Sequence, residues 1–108
     1  MAVPKVHAPM TLEAICLLGN RVRLGRKERR WTVAELAERV GVSPVTIRKV
    51  ETGDPTVALG TAFEAAVLVG VSLFHPDASR RVLEAELVDA RLAVLPSVIR
   101  TSHIDDNF

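Results

Sequence analysis

Aromatic residues are nearly absent from this 108-residue chain, which has no tyrosine, one tryptophan and three phenylalanines. With 48% apolar residues but only 4% aromatics, Leu, Val, Ala and Ile must fill any core, a palette that suits packed helices better than a β-sandwich. A single cysteine, Cys16, excludes an internal disulfide, a disulfide scaffold and a thiolate zinc site, and fits a reducing cytoplasm. His7, His75 and His103 stand far apart, without Cys or carboxylates at metal-ligand spacing. Ser43 has no adjacent base and the glycines form no phosphate loop, so no catalytic residue, metal or cofactor is expected and an enzyme is the least favoured class.

Long apolar runs are also missing. Met1 to Met10 has no apolar stretch or small-residue cleavage site of a secretory signal and reads as a flexible arm over residues 1–10. Val57 to Phe74 is the most apolar stretch, but Thr61, Glu64, Ser72 and two glycines interrupt it, so it is expected in a core and not in a membrane. The length leaves room for one ordinary domain and a tail.

A net charge of +1 conceals a strong asymmetry. Residues 1–53 hold ten Lys or Arg against five Glu, a net of +5, whereas residues 77–108 hold four Arg against six acids, a net of −2. Two different tasks are implied for the two ends. Six cations, Arg21, Arg23, Arg26, Lys27, Arg29 and Arg30, crowd one ten-residue window against Glu28 alone.

Helical periodicity begins after Thr11, with Leu12, Ile15, Leu18 and Val22 on one face, and predicts a first helix to about Lys27. Thr32 and Glu35 have the spacing of a capping box, opening a second helix with Val33, Leu36, Ala37 and Val40 inward and Gly41 at its end. Ser43 followed by Pro44 caps a short third helix, pinned by Ile47 and Val50 and stopped by Gly53-Asp54-Pro55. A fourth helix opens at Thr56 or Leu59 and ends near Gly70, and a very short fifth is expected over Ser72–Phe74. After His75-Pro76, Asp77 caps a sixth helix carrying Val82, Leu83, Leu87, Leu92 and Leu95 as far as Pro96. The predicted fold is all-α, a five-helix domain over 11–76 and a C-terminal helix with a flexible tail over 77–108, the latter serving dimerisation or partner binding.

Two short helices that cross near a right angle need a small residue where they touch, a residue tolerant of positive φ in the turn, and apolar anchors beneath the second helix. Ala37, Gly41 and Ile47 fill these places in a segment, WTVAELAERVGVSPVTIRKVETG from Trp31 to Gly53, that resembles the lambda-repressor-like or Xre helix-turn-helix family. That resemblance implies that the helix Ser43–Thr52 enters the major groove of double-stranded operator DNA, with Ser43, Val45, Thr46 and Lys49 at base edges. It further implies backbone contacts at Arg26, Thr32, Pro44, Arg48 and Thr52, with Arg26 also pairing with Glu51. Lys49 can donate to guanine, and Thr46 and Val45 can meet thymine methyls. Val33 and Pro44 stand where the family often carries two glutamines, so phosphate contacts and DNA shape are expected to carry more of the discrimination.

Gly53-Asp54-Pro55, Val57, Leu59-Gly60-Thr61, Phe63 and Leu68-Val69-Gly70-Val71 with Leu73-Phe74 resemble, more narrowly, HipB-type antitoxins. The resemblance implies a cytoplasmic, nucleoid-associated bacterial repressor that regulates its own operon and binds a HipA-like kinase toxin. The alternative is a free-standing Xre-type transcriptional regulator. A homodimer is expected in either case, because one recognition helix covers too few base pairs for useful specificity. The terminal Phe108 reads either as part of a solubilising end or as an anchor for a partner.

Overall fold

A computed structural model describes residues 6–97 and contains five α-helices and no strand among them. The all-α class expected from the composition is what the structure shows. The chain divides into two compact units, one ending at Leu73 and the other beginning at Phe74. The first five residues of the expected arm and the tail beyond Ser97 lie outside the described residues.

The first unit holds α1 (Pro9–Glu28), α2 (Val33–Val40), α3 (Pro44–Thr52) and α4 (Leu59–Leu68). Helix α1 starts within the segment expected as an arm, two residues ahead of Thr11, because Pro9 occupies its first turn, where a missing amide costs nothing. Its end is closed by backbone bonds from Arg30 to Lys27 and from Trp31 to Arg26, with Arg30 in the left-handed region at φ 59°. Helix α2 opens on the expected box, the Glu35 amide donating to Thr32 Oγ1 at 3.1 Å and the Thr32 amide to Glu35 Oε1 at 2.8 Å. Gly41 then takes φ 88°, and its amide and that of Val42 both reach the Ala37 carbonyl, which turns the chain within two residues.

Helix α4 takes the later of its two expected starts. Asp54 instead holds Thr56 in a turn, accepting from its amide at 2.8 Å and its hydroxyl at 2.6 Å. After α4 the Val71 amide returns to the Ala66 carbonyl at 2.9 Å, and no helix forms over Ser72–Phe74. Phe74 there has φ 65°, incompatible with a right-handed turn, and Pro76 follows two residues later.

Val22, Leu36, Ala37, Ile47, Val50, Ala65, Ala66 and Val69 form the core, drawn from all four helices. Two glycines of α1 set how closely these helices approach. A methyl group added at Gly19 would collide with the Val50 carbonyl oxygen, and one at Gly25 would lie 2.9 Å from the Val69 side chain. The α1 backbone therefore touches α3 and the end of α4 directly.

The second unit holds α5 (Ala78–Ala93). Asp77 caps it as expected, accepting from the amide and hydroxyl of Ser79 at 2.9 and 2.8 Å. Among the described residues, no helix is long and apolar enough to cross a membrane.

Candidate nucleic-acid interface

Helix α3 is positioned from beneath and from both ends. Ile47 is fully buried and Val50 is 4% exposed, so their burial fixes the rotation of the helix and turns the remaining positions outward. Ser43 accepts from the Thr46 amide at 3.3 Å, and its hydroxyl lies 3.1 Å from Thr46 Oγ1. At the other end Gly53 takes φ 80° and the Asp54 amide bonds the Lys49 carbonyl at 2.9 Å.

The outward face carries the side chains singled out by sequence. Ser43, Pro44, Val45, Arg48, Lys49 and Thr52 are exposed and Thr46 is half-buried, so the structure brings these seven together on one accessible helix. Thr32 is exposed at the start of α2. The Thr52 hydroxyl donates back to the Arg48 carbonyl at 2.9 Å.

Arg26 occupies a different position, being only 8% exposed. Its Nε donates to Glu51 Oε2 at 2.7 Å, its Nη2 to Glu51 Oε1 at 3.0 Å and its Nη1 to the Trp31 carbonyl at 2.9 Å. The hydrogen bond to Glu51 raises the arginine pKa further, although burial opposes it. This pair joins the end of α1 to α3 and orients the chain just before Thr32, so α2 and α3 are held in one frame. It also neutralises a carboxylate that would otherwise repel a polyanion.

Above the pair lies a shallow cleft of about 280 Å³ lined by Arg23, Arg26, Val33, Arg48, Glu51 and Thr52. Since Arg26 and Glu51 compensate each other, Arg23 and Arg48 give the cleft its positive charge. In the sequence Arg23 is one of a run of cations, and its place three residues before Arg26, hence on the same helical face, is the signal that marks it. Beside the cleft, the guanidinium of Arg39 stacks 4.1 Å from the centre of the Trp31 ring and that of Arg29 lies 5.9 Å away. Arg29 also donates to the Val69 carbonyl at 2.6 Å, a cation at the negative end of α4.

Capped helix, tight glycine turn, exposed second helix and adjoining basic cleft define a helix-turn-helix DNA-binding regulator. The chain belongs to the helix-turn-helix family whose model matches residues 22–75. It is similar to antitoxin HipB of Escherichia coli O6:H1, with 28% identity over 85 residues, covering 79% of this chain and 84% of that protein. It is also similar to a solved HipB variant in an O2 20mer complex, with a TM-score of 0.50 and 28% identity, covering 71% of this chain and 99% of that one.

Proposed function

We propose that this chain is a sequence-specific transcriptional repressor that binds its own operator as a homodimer and serves as the antitoxin of a HipAB-like module. The observation that carries the reading is the exposed face of α3 beside the basic cleft, on a chain similar to HipB across most of its length. In this reading Ser43, Val45, Thr46 and Lys49 meet base edges. Thr32, Arg48 and Thr52 hold phosphates, joined by Arg23, Pro44 packs against the DNA backbone without donating to it, and Arg26 acts on that backbone through the frame it holds. A HipA-like kinase is the protein partner, and the site of action is the cytoplasm and nucleoid.

The test is a gel shift and footprint on the DNA upstream of the chain's own gene. Protection of two half-sites about one helical turn apart is expected, with affinity falling roughly 10³–10⁵-fold between low and moderate salt if about 6–10 phosphates are neutralised. Equal affinity for a scrambled duplex, or a nearly flat salt dependence, sinks the reading. Co-purification with the product of the neighbouring gene tests the antitoxin role separately; DNA binding without any such complex leaves a free-standing regulator.

A further inference from the structure

The first turn of α3 is poor in hydrogen-bonding groups for the end of a recognition helix. Pro44 at its first position has no amide to offer. The Ser43 hydroxyl accepts from the Thr46 amide, and the two hydroxyls lie 3.1 Å apart, so one of their protons is spent between them. Beside the exposed Pro44 ring, Val45 is 57% exposed and presents an isopropyl group to water. Val33, half-buried in the cleft next to Arg48 and Thr52, likewise offers only carbon.

A single exposed valine is ordinary on a protein surface; the place of this one gives it meaning. The core needs of α3 are met by Ile47 and Val50, so Val45 is not required for packing. It sits on the N-terminal turn, the part of a recognition helix that approaches base edges in the major groove. Adenine, guanine and cytosine present only donors and acceptors there, whereas thymine adds a C5-methyl group. A carbon surface gains by covering that methyl, and covering an unmatched donor or acceptor costs it binding.

The second turn of the same helix asks for something different. Arg48 and Lys49 are exposed there, and both are long cationic donors suited to the acceptors of guanine. Lys49 follows Val45 by four residues, about 6 Å along the axis, which is close to two base-pair steps of about 3.4 Å.

We infer that the first turn of α3 recognises a C5-methyl group: Pro44 and Val45 form an apolar contact for a 5-methylpyrimidine, about two base pairs from the pair that Lys49 reaches. The inference rests on the operator binding proposed above and names what marks out that operator. Because the contact is to the methyl carbon, 5-methylcytosine satisfies it where plain cytosine does not. Cytosine methylation at that place therefore strengthens binding.

The test removes one methyl at a time. In the footprinted duplex upstream of the chain's own gene, each thymine of the half-site is replaced by deoxyuridine, which leaves base pairing and every groove donor and acceptor in place. One or two of these replacements are expected to weaken binding by about three- to tenfold each, and the others to leave it unchanged. Exchanging the sensitive T·A pair for C·G should weaken it as well, and 5-methylcytosine at that position should recover about three- to tenfold. Val45→Ala should bring the preference for thymine over uracil toward one, whereas Lys49→Ala should keep that preference while weakening both duplexes. Thermal unfolding checks that the variants remain folded. A half-site without thymine, uracil replacements that have no effect, or a thymine preference that survives Val45→Ala overturns the inference and leaves operator binding standing. A protein that binds no duplex specifically sinks the operator reading, and this inference with it.

Discussion

Arg26 and Glu51, 25 residues apart in sequence, meet in a two-pronged ion pair at 2.7 and 3.0 Å with side chains only 10% and 6% exposed. Burial of both charges is tolerable only because each satisfies the other, so removing one partner is far more harmful than removing both. Glu51→Ala is expected to cost about 3–5 kcal/mol in urea denaturation, while Arg26→Met combined with Glu51→Leu recovers most of that loss. The double variant should still bind DNA less well, because the bond from Arg26 to the Trp31 carbonyl is gone. Equal losses in the single and double variants would show that the pair is not the linchpin of the frame.

Glycines of one composition class should behave in opposite ways. Gly19→Ala is expected to destabilise by about 1–3 kcal/mol or more, because the new methyl meets the rigid Val50 carbonyl. Gly60→Ala, with nothing within 4 Å of the added carbon, should gain about 0.5–1 kcal/mol in the same thermal-unfolding series. A neutral Gly19→Ala would mean that α1 and α3 have room to separate.

This contrast also separates what the sequence discloses from what it hides. Caps are local, so Thr32 with Glu35, Ser43 with Pro44, and Asp77 were legible from spacing alone. The exposed face of α3 followed from Ile47 and Val50 for the same reason. Gly19 and Gly25 were not legible, because a glycine inside a helical pattern reads as a local cost and its benefit, close approach of another helix, depends on residues some 30 to 45 positions away. Arg23 was hidden among equivalent cations until Arg48 and Thr52 were placed beside it. The short helix expected at Ser72–Phe74 failed for a backbone reason, the left-handed Phe74, that apolar spacing cannot reveal.

Base reading and phosphate holding should separate by mutation. Lys49→Ala is expected to cost about 1–3 kcal/mol on the cognate operator and little on random DNA, whereas Arg23→Ala and Arg48→Ala should weaken both alike and each lower the salt slope by about 1. Titrations on cognate and random duplexes at several salt concentrations distinguish these outcomes. A sequence-independent loss at Lys49 would reassign it to the backbone.

Acid should loosen the carboxylate-held caps and turns. The amide and side chain of Thr32 hold the Glu35 carboxyl below the usual carboxylate range; Thr56 does the same for Asp54, and Ser79 for Asp77. A depressed folded-state pKa stabilises the fold fully above the unfolded value, near pH 4, and that contribution fades as pH falls through the folded value. Urea midpoints should therefore decline below about pH 4, and less steeply in Glu35→Gln. An unchanged acid slope in that variant would remove Glu35 from the account.

Arg30 joins α1 to the capping segment at φ 59°, where a side chain other than glycine is strained. Arg30→Gly is expected to raise the melting temperature relative to Arg30→Ala, while both lower DNA affinity equally through loss of the charge. A lower melting temperature for the glycine variant would mean that the side chain stabilises this turn.

The contact of the Arg39 guanidinium with the Trp31 ring, 4.1 Å from its centre, has an optical consequence. With no tyrosine and no second indole in the chain, all of its useful ultraviolet emission originates at this one ring, one residue before the cap of α2. The unmodified protein thus carries its own spectroscopic label where nucleic acid is proposed to arrive, and its fluorescence reports from a single known point.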